Sequence, residues 1–401
     1  MSSTHTLHTP ATPAAQNSLS KGLLLLMAFT AGMTVANLYY NQPLLADIGR
    51  TFGVAPDKVG IVSTCTQVGY ALGMFLFVPL GDIKERKGLI TVLLSLVCLS
   101  LIGTAAAQNL AWMYIASFAV GITTVVPQIL IPLAATLASP SEQGKAVGTV
   151  TSGLLLGILL TRTVSGLIGG TWGWRFMYAL AAAAMLALLI LLRAKLPVTR
   201  PSAELRYGEL LASMGKLVNK YATLRESALI GAANFAAFSI FWTALSFYVE
   251  GKPYHYSSQI AGLFGLIGAA GALGAPFVGR LADRIPTKWM IGAMVSLNII
   301  AYLLFGLLGS MLWALILGVI LLDLGVQGTQ VANQTRIYAL EPPARSRLNT
   351  VQMVTTFLGG AIGSSVGSYA WHEWGWTGVC FAGGIVGLFS FSVWLVHRLK
   401  A

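Results

Sequence analysis

Apolar runs of about 20 residues, the length a helix needs to cross a bilayer, follow one another along almost the whole chain. They extend approximately over 22–45, 58–81, 88–108, 110–138, 145–170, 174–193, 226–250, 258–280, 288–309, 311–337, 347–370 and 375–397. With 56% hydrophobic and only 9% charged residues, the chain lacks the polar surface that would coat a water-soluble fold of this size. A segment in hydrocarbon must also satisfy its backbone polar groups internally, and a helix does so within itself. The expected fold class is therefore an all-α integral membrane protein with twelve transmembrane helices.

The charges are concentrated between these runs. Val78–Gly88 carries five of them (Asp82, Lys84, Glu85, Arg86, Lys87), and a looser copy stands at Gly279–Lys288 with Asp283 and Arg284. Asp82 and Asp283 lie about 200 positions apart, as do Thr149-Val150 and Thr350-Val351, Pro140 and Pro342, and Trp172-Gly-Trp174 and Trp374-Gly-Trp376; a repeat at half the chain length implies two duplicated halves. The only long connection, 193–225, separates six runs from six. The expected organisation is a disordered cytoplasmic tail at 1–20, a six-helix bundle at 21–193, a basic cytoplasmic linker at 194–225 and a second six-helix bundle at 226–401.

Twelve spans put both termini on one side, and the positive residues say which. Of the 25 lysines and arginines, 20 fall in loops on the side of the termini, whereas Arg50, Lys58, Arg175 and Lys252 fall on the other. That bias places both termini in the cytoplasm of a bacterial inner membrane. The formal charge of +12 thus belongs to a membrane face, and no nucleic-acid partner is expected. Cys65, Cys98 and Cys380 lie inside apolar runs, as small buried hydrophobes do. No phosphate loop, nucleophile–base constellation or metal-ligand cluster is present, so no enzyme activity, cofactor or metal is expected.

Six plus six spans, a basic central linker and a Gly-x-Leu-Ala-Asp-Arg type motif after spans two and eight resemble the major facilitator superfamily, in particular its bacterial twelve-span exporters related to drug:proton antiporters. The resemblance covers about residues 20–398. It implies two pseudo-symmetric six-helix bundles, with Asp82 capping a helix of the opposite half, Arg86 and Lys87 as its basic partners, and Asp82, Glu85, Arg86, Lys87, Gly279, Asp283 and Arg284 forming the gating motif. The first copy departs from the pattern at Val78, Ile83 and Glu85. No acid lies between Lys21 and Asp47 in span one, and span five has Arg162 in place of a Gly-Pro pair, so the antiporters' coupling residues do not transfer.

A charge at mid-bilayer costs at least about 2.5–3.5 kcal/mol on insertion scales and so faces a partner or a wet cavity. Two residues meet that description: Arg162 in span five and Asp323 in span ten, about 25 and 20 Å from the cytoplasmic face at helical rise. The expectation is that they pair or share a pocket, with Asp323 taking up the proton; a static ion pair and two separate cavities are the alternatives. Asp323, Gln327, Gln330 and Gln334 form one helical stripe, as do Thr30, Thr34, Asn37 and Asn41 in span one. Span four adds Thr124 and Gln128, with Pro127 and Pro132 bending it. Span seven brings Asn234, Phe238, Phe241 and Tyr248, with Trp242 beside that face. Since spans one, four, seven and ten line the cavity in the resembled family, these residues are the candidate substrate contacts. The function expected is proton-coupled, alternating-access efflux of a small organic compound by a monomer in the lipid bilayer. Proton symport or facilitated uptake of a polar metabolite is the alternative, and a transporter-like receptor or lipid scramblase is one of another class.

Overall fold

A computed structural model describes residues 19–199, 206–272, 274, 286–341 and 344–399 of the chain. Most of the expected tail, residues 200–205 of the linker, and the second loop motif with Gly279, Asp283 and Arg284 lie outside the described residues. Among those described, every regular element is a helix. The first part holds α1 (Lys21–Ala36), a 3-10 turn (Gln42–Leu44), α2 (Leu45–Phe52), α3 (Pro56–Phe77), α4 (Leu80–Ile83), α5 (Arg86–Ala105), α6 (Leu110–Thr123), α7 (Val126–Leu137), α8 (Gln143–Trp172) and α9 (Trp174–Lys195). The linker folds as α10 (Tyr207–Lys220), and α11 (Ala222–Glu250), α12 (Ser258–Ala272), α13 (Thr287–Leu308), α14 (Leu312–Tyr338) and α15 (Arg345–Leu399) follow. Nine helices among the described residues are long and apolar enough to cross a membrane, and Lys21–Ala36 and Ser258–Gly271 are shorter apolar ones.

Packing is inside-out relative to a water-soluble bundle. Leu307 and Ile115 are 78% and 72% exposed, while Thr30, Thr34, Asn234, Asn298 and Asn333 are buried. Hydrocarbon accepts a leucine surface at no cost but leaves an amide unsatisfied, so polar side chains turn inward to one another. Asn298 Nδ2 donates to Asn234 Oδ1 at 2.7 Å, and Asn333 Nδ2 to the Ser227 carbonyl at 3.3 Å.

Helix boundaries follow local chemistry. Ser20 and Asn109 cap α1 and α6 through their side-chain oxygens, satisfying amides that the first turn leaves free. Span four is interrupted at Thr124–Val125 between α6 and α7, with Pro127 in the first turn after the break and Pro132 inside α7, as proline's missing donor requires. Gly173 (φ 89°) separates α8 from α9, and Gly375 (φ 59°) breaks α15 in two. Both are the central glycine of a Trp-Gly-Trp, so the two copies of that tripeptide mark the same left-handed corner, where a side chain would be strained.

The helices before the linker meet those after it along two seams. On one, α3 packs on the first part of α15; on the other, α8 packs on α12. Each seam joins the second apolar helix of one part to the fifth of the other, the reciprocal pairing that a twofold relation between duplicated parts produces. Small residues let the backbones close up: a Cβ on Gly166 would stand 2.7 Å from the Cα of Gly262, and one on Gly60 would run into Ser368.

Candidate functional site

The two charges buried deepest in the membrane-spanning helices come from opposite sides of the α8–α12 seam and converge on one indole. Arg162 projects from α8 past Gly265, where a Cβ would lie 2.8 Å from that of Arg162 itself. Its Nε donates to Gln42 Oε1 at 2.6 Å. The guanidinium carbon stands 4.1 Å from the ring centre of Trp242, 4.9 Å from Tyr39 and 5.2 Å from Phe238. A desolvated cation–π contact contributes about 2 kcal/mol or more and a hydrogen bond to a charged group about 1.5–3. Together these offset a mid-membrane cost of about 2.5–3.5 kcal/mol, which is why an arginine without a carboxylate against it is tolerated there.

Asp323 lies on α14 beside the edge of the same indole. A Cβ on Gly268 of α12 would be 3.0 Å from both Asp323 Oδ2 and Trp242 Cζ2. Arg162 and Asp323 feel each other's charge; among the described residues Arg162 Nη2 is buried without a hydrogen-bond partner, and Asp323 Oδ2 meets the indole N–H of Trp242 short of good hydrogen-bond geometry. The two residues thus share a cluster without forming a direct ion pair, and both border Trp242.

Sequence reasoning missed half of this cluster. Gln42 and Tyr39 fall outside the expected site because an unbroken apolar run predicts one continuous helix for span one, whereas α1 ends at Ala36 and the chain turns through 37–41 before the 3-10 turn delivers Gln42 to Arg162. The only signal was Pro43 beside an amide pair, Asn41-Gln42. On the other seam, Gln67 Nε2 of α3 donates to Ser364 Oγ of α15 at 2.8 Å, and Thr243 of α11 approaches the same hydroxyl at 3.1 Å. Thr64 and Ser365 meet at 2.9 Å.

The expected lining residues divide. Phe238 joins the cluster, but Phe241 turns away and stacks on Phe305 at 4.5 Å within the later helices, and Asn234 is taken by Asn298. The span-one stripe is spent inside the earlier helices: Thr34 Oγ1 donates to the Thr30 carbonyl, Asn37 Nδ2 to Met185 Sδ at 3.6 Å, and Asn41 Nδ2 to Thr66 Oγ1 at 3.3 Å. Among the described residues the buried Thr124 hydroxyl has no partner, and Gln128 reaches Tyr70 at 3.3 Å. Along α14, Asp323 is buried and Gln327, Gln330 and Gln334 are half-buried. Gln330 bonds Met353 Sδ at 3.4 Å and Gln334 bonds Asn349 at 3.5 Å.

The loop after α3 is a clasp inside the earlier helices. Arg86 is buried; its Nε donates to the Gly81 carbonyl at 2.8 Å and its Nη1 to Thr136 of α7 at 2.9 Å, while Asp82 stands 3.6 Å from its Nη2. Glu85 caps α5 through the amides of Lys87 (2.8 Å) and Gly88 (2.6 Å). From the other part, the charge of Arg347 acts on Asp82. Asp82 therefore takes Arg86 as its ion-pair partner. At the opposite end of the bundle Arg50 of α2 pairs with Glu250 of α11 at 2.5 Å and with Asp47 in its own helix, beside a cavity of about 430 Å³ that Val59, Phe247 and Trp371 also line.

A bundle of membrane helices with charged and amide side chains gathered at the seams between its two parts is the architecture of a membrane transporter. The Major Facilitator Superfamily model matches residues 24–272 and 227–401, and the chain belongs to that family. It is similar to an uncharacterized transporter, YgaY, of Escherichia coli O157:H7, at 42% identity over 96% of this chain and 98% of that one. A probable transporter of Streptomyces coelicolor, SCO4007, is 34% identical over 93% and 89%. Among solved structures, an inward-facing, occupied bacterial homologue of the human lysosomal transporter Spinster matches with a TM-score of 0.76 at 13% identity, over 95% of this chain and 97% of that one; this likeness concerns the fold alone. The chain is a multi-pass membrane transporter and not an enzyme.

Proposed function

We propose that the protein is a twelve-span, proton-coupled secondary transporter that exports a small organic compound across the bacterial inner membrane by alternating access. Two six-helix bundles, 21–193 and 226–401, rock about the α3–α15 and α8–α12 seams, joined by the cytoplasmic linker 194–225, with both termini cytoplasmic. The observation that carries this reading is the pair of buried charges, Arg162 and Asp323, flanking Trp242 where the bundles meet. A proton on Asp323 cancels the field that Arg162 feels, which changes the preferred packing of the two sides and so the population of each state.

The Arg50–Glu250 pair closes the end remote from the termini, and the half-buried glutamines at 128, 327, 330 and 334 lie on the way to the other end, which supports an inward-facing state. Asp82, Glu85, Arg86 and Lys87, with Gly279, Asp283 and Arg284 of the second copy, then govern the cytoplasmic gate. The direction of transport rests on the resemblance to exporters; the half-buried glutamine amides favour symport of a polar metabolite as the second reading.

The test is a purified, reconstituted monomer with a pH-sensitive dye inside the vesicles. Substrate-dependent proton movement opposite in direction to substrate flux supports antiport, movement in the same direction supports symport, and flux of any solute with no proton movement overturns the coupling.

A further inference from the structure

Among the described residues Arg162 Nη2, a donor, is buried without a partner, and Asp323 Oδ2, an acceptor, meets the indole N–H of Trp242 short of good hydrogen-bond geometry. Buried polar atoms are nearly always satisfied, and an ungratified charged group costs more than a neutral one. Here two opposite charges lie close enough to act on each other and both border the indole of Trp242, yet they form no direct ion pair. A ligand fits this arrangement only if it offers an anionic acceptor to Arg162 and a cationic donor to Asp323 at once. An anion alone would bring its charge against Asp323, and a cation alone would meet Arg162.

Neutral sugars are disfavoured for a separate reason. A sugar ring on tryptophan needs a free aromatic face, but the guanidinium covers one face of Trp242 and α12 crowds its edge at Gly268. Size is restricted too, since Gly265 and Gly268 admit no side chain against Arg162 and Asp323 without displacement.

We propose that Arg162 and Asp323, beside Trp242, form the recognition site for a small zwitterion of the α-amino-acid type, its carboxylate held by Arg162 Nη2 and its ammonium by Asp323 Oδ2. The planar guanidinium suits a carboxylate. This deepens the transport reading above and rests on it in one respect: proton and ammonium compete for the same Asp323 oxygen, so loading with one requires release of the other.

The test is binding to the full-length protein in detergent, read as a shift in melting temperature and as a dissociation constant. Each of the twenty L-α-amino acids is tried singly, and any that binds is compared with its decarboxylated amine and its deaminated acid; D-glucose and L-arabinose serve as neutral probes. At least one amino acid is expected to bind, with both singly charged analogues weaker by about tenfold or more, and with affinity falling as pH is lowered through the titration of Asp323. Arg162→Gln and Asp323→Asn should each abolish the preference for the zwitterion, and Arg162→Lys should retain part of it. Because the analogue series is measured on the unaltered protein, a misfolded variant does not decide the outcome. The proposal is overturned if no amino acid binds, or if an analogue or a sugar binds equally well. A sugar that binds and moves protons leaves the transport reading standing without the zwitterion, whereas an amino acid that binds but moves no protons in vesicles removes the coupling and keeps the site.

Discussion

The guanidinium of Arg162 rests 4.1 Å from the ring centre of Trp242, and the two residues lie on either side of the linker. One contact therefore ties α8 to α11 across the middle of the membrane, and any change in Arg162's electrostatic surroundings is felt by both parts of the molecule. Trp242→Leu removes the π face but keeps an apolar side chain, so it should cost about 2 kcal/mol of the contact, and Trp242→Phe less than half of that. Thermal unfolding of the purified variants checks the order; equal losses for Leu and Phe would mean that volume, not charge, is what Trp242 supplies.

Gly268 leaves no room for added bulk beside the buried charges. A Cβ there would meet Asp323 Oδ2 and Trp242 Cζ2, each at 3.0 Å, and overpacking of this kind costs about 1–3 kcal/mol. Gly268→Ala should lower both stability and transport. Gly148 of α8 has nothing within 4 Å of a Cβ, so Gly148→Ala should raise stability by up to about 1 kcal/mol. Melting temperatures of the two variants should move in opposite directions.

Arg50 and Glu250 hold the end of the bundle remote from the termini. Arg50 is 61% exposed, so water screens the pair and it is worth about 0.2–1 kcal/mol, enough to shift a two-state population up to about fivefold without locking it. In a background lacking the native cysteines, a cysteine at the buried Ser63 should react faster with a membrane-impermeant thiol reagent when Glu250→Gln is introduced. An unchanged rate would show that this end opens independently of the pair.

The linker helix is fastened at both ends. Tyr207 donates to the Leu76 carbonyl at 2.7 Å, and Lys220 and Tyr221 bond Glu341 at 2.8 and 2.7 Å. These two bonds hold the Glu341 carboxyl below its usual value of 4.5. Because its folded value is depressed, the carboxylate contributes above the unfolded value, and that contribution is lost as pH falls through the folded one. Hydrogen exchange at the end of α10 should therefore stay constant from about pH 8 to 5 once corrected for the intrinsic rate, and rise well below 4.5; Glu341→Gln should give the fast rate at every pH.

The sequence reading reached the fold because membrane helices are announced by long apolar runs, and the duplication survives in rare residues such as the paired Trp-Gly-Trp corners. Arg162 and Asp323 were legible for the same reason: an ionised group in a span stands out. Their partners were not. Gln42 depends on α1 stopping at Ala36, which no proline or glycine in the preceding turn foretold, and Trp242 sat just off the face that helical spacing selected. Asn37 and Asn41 follow a good polar stripe, yet their amide groups turn to neighbours in the earlier helices, Met185 and Thr66. Periodicity tells which residues share a face, not which helix that face meets. The clasp of Arg86 on Thr136 was likewise invisible, since the two residues are brought together only by the packing of α7 beside the loop.

On the proposed mechanism Asp323 carries the proton. Proteoliposomes containing Asp323→Asn, which keeps the shape and removes the charge, measure it by comparing flux driven by an imposed pH gradient with solute counterflow in the absence of a gradient. Gradient-driven flux should fall to the level of empty vesicles in the variant; surviving counterflow would localise the loss to coupling. If pH-driven flux in the variant matches that of the unaltered protein, Asp323 is not the coupling residue and the account is contradicted.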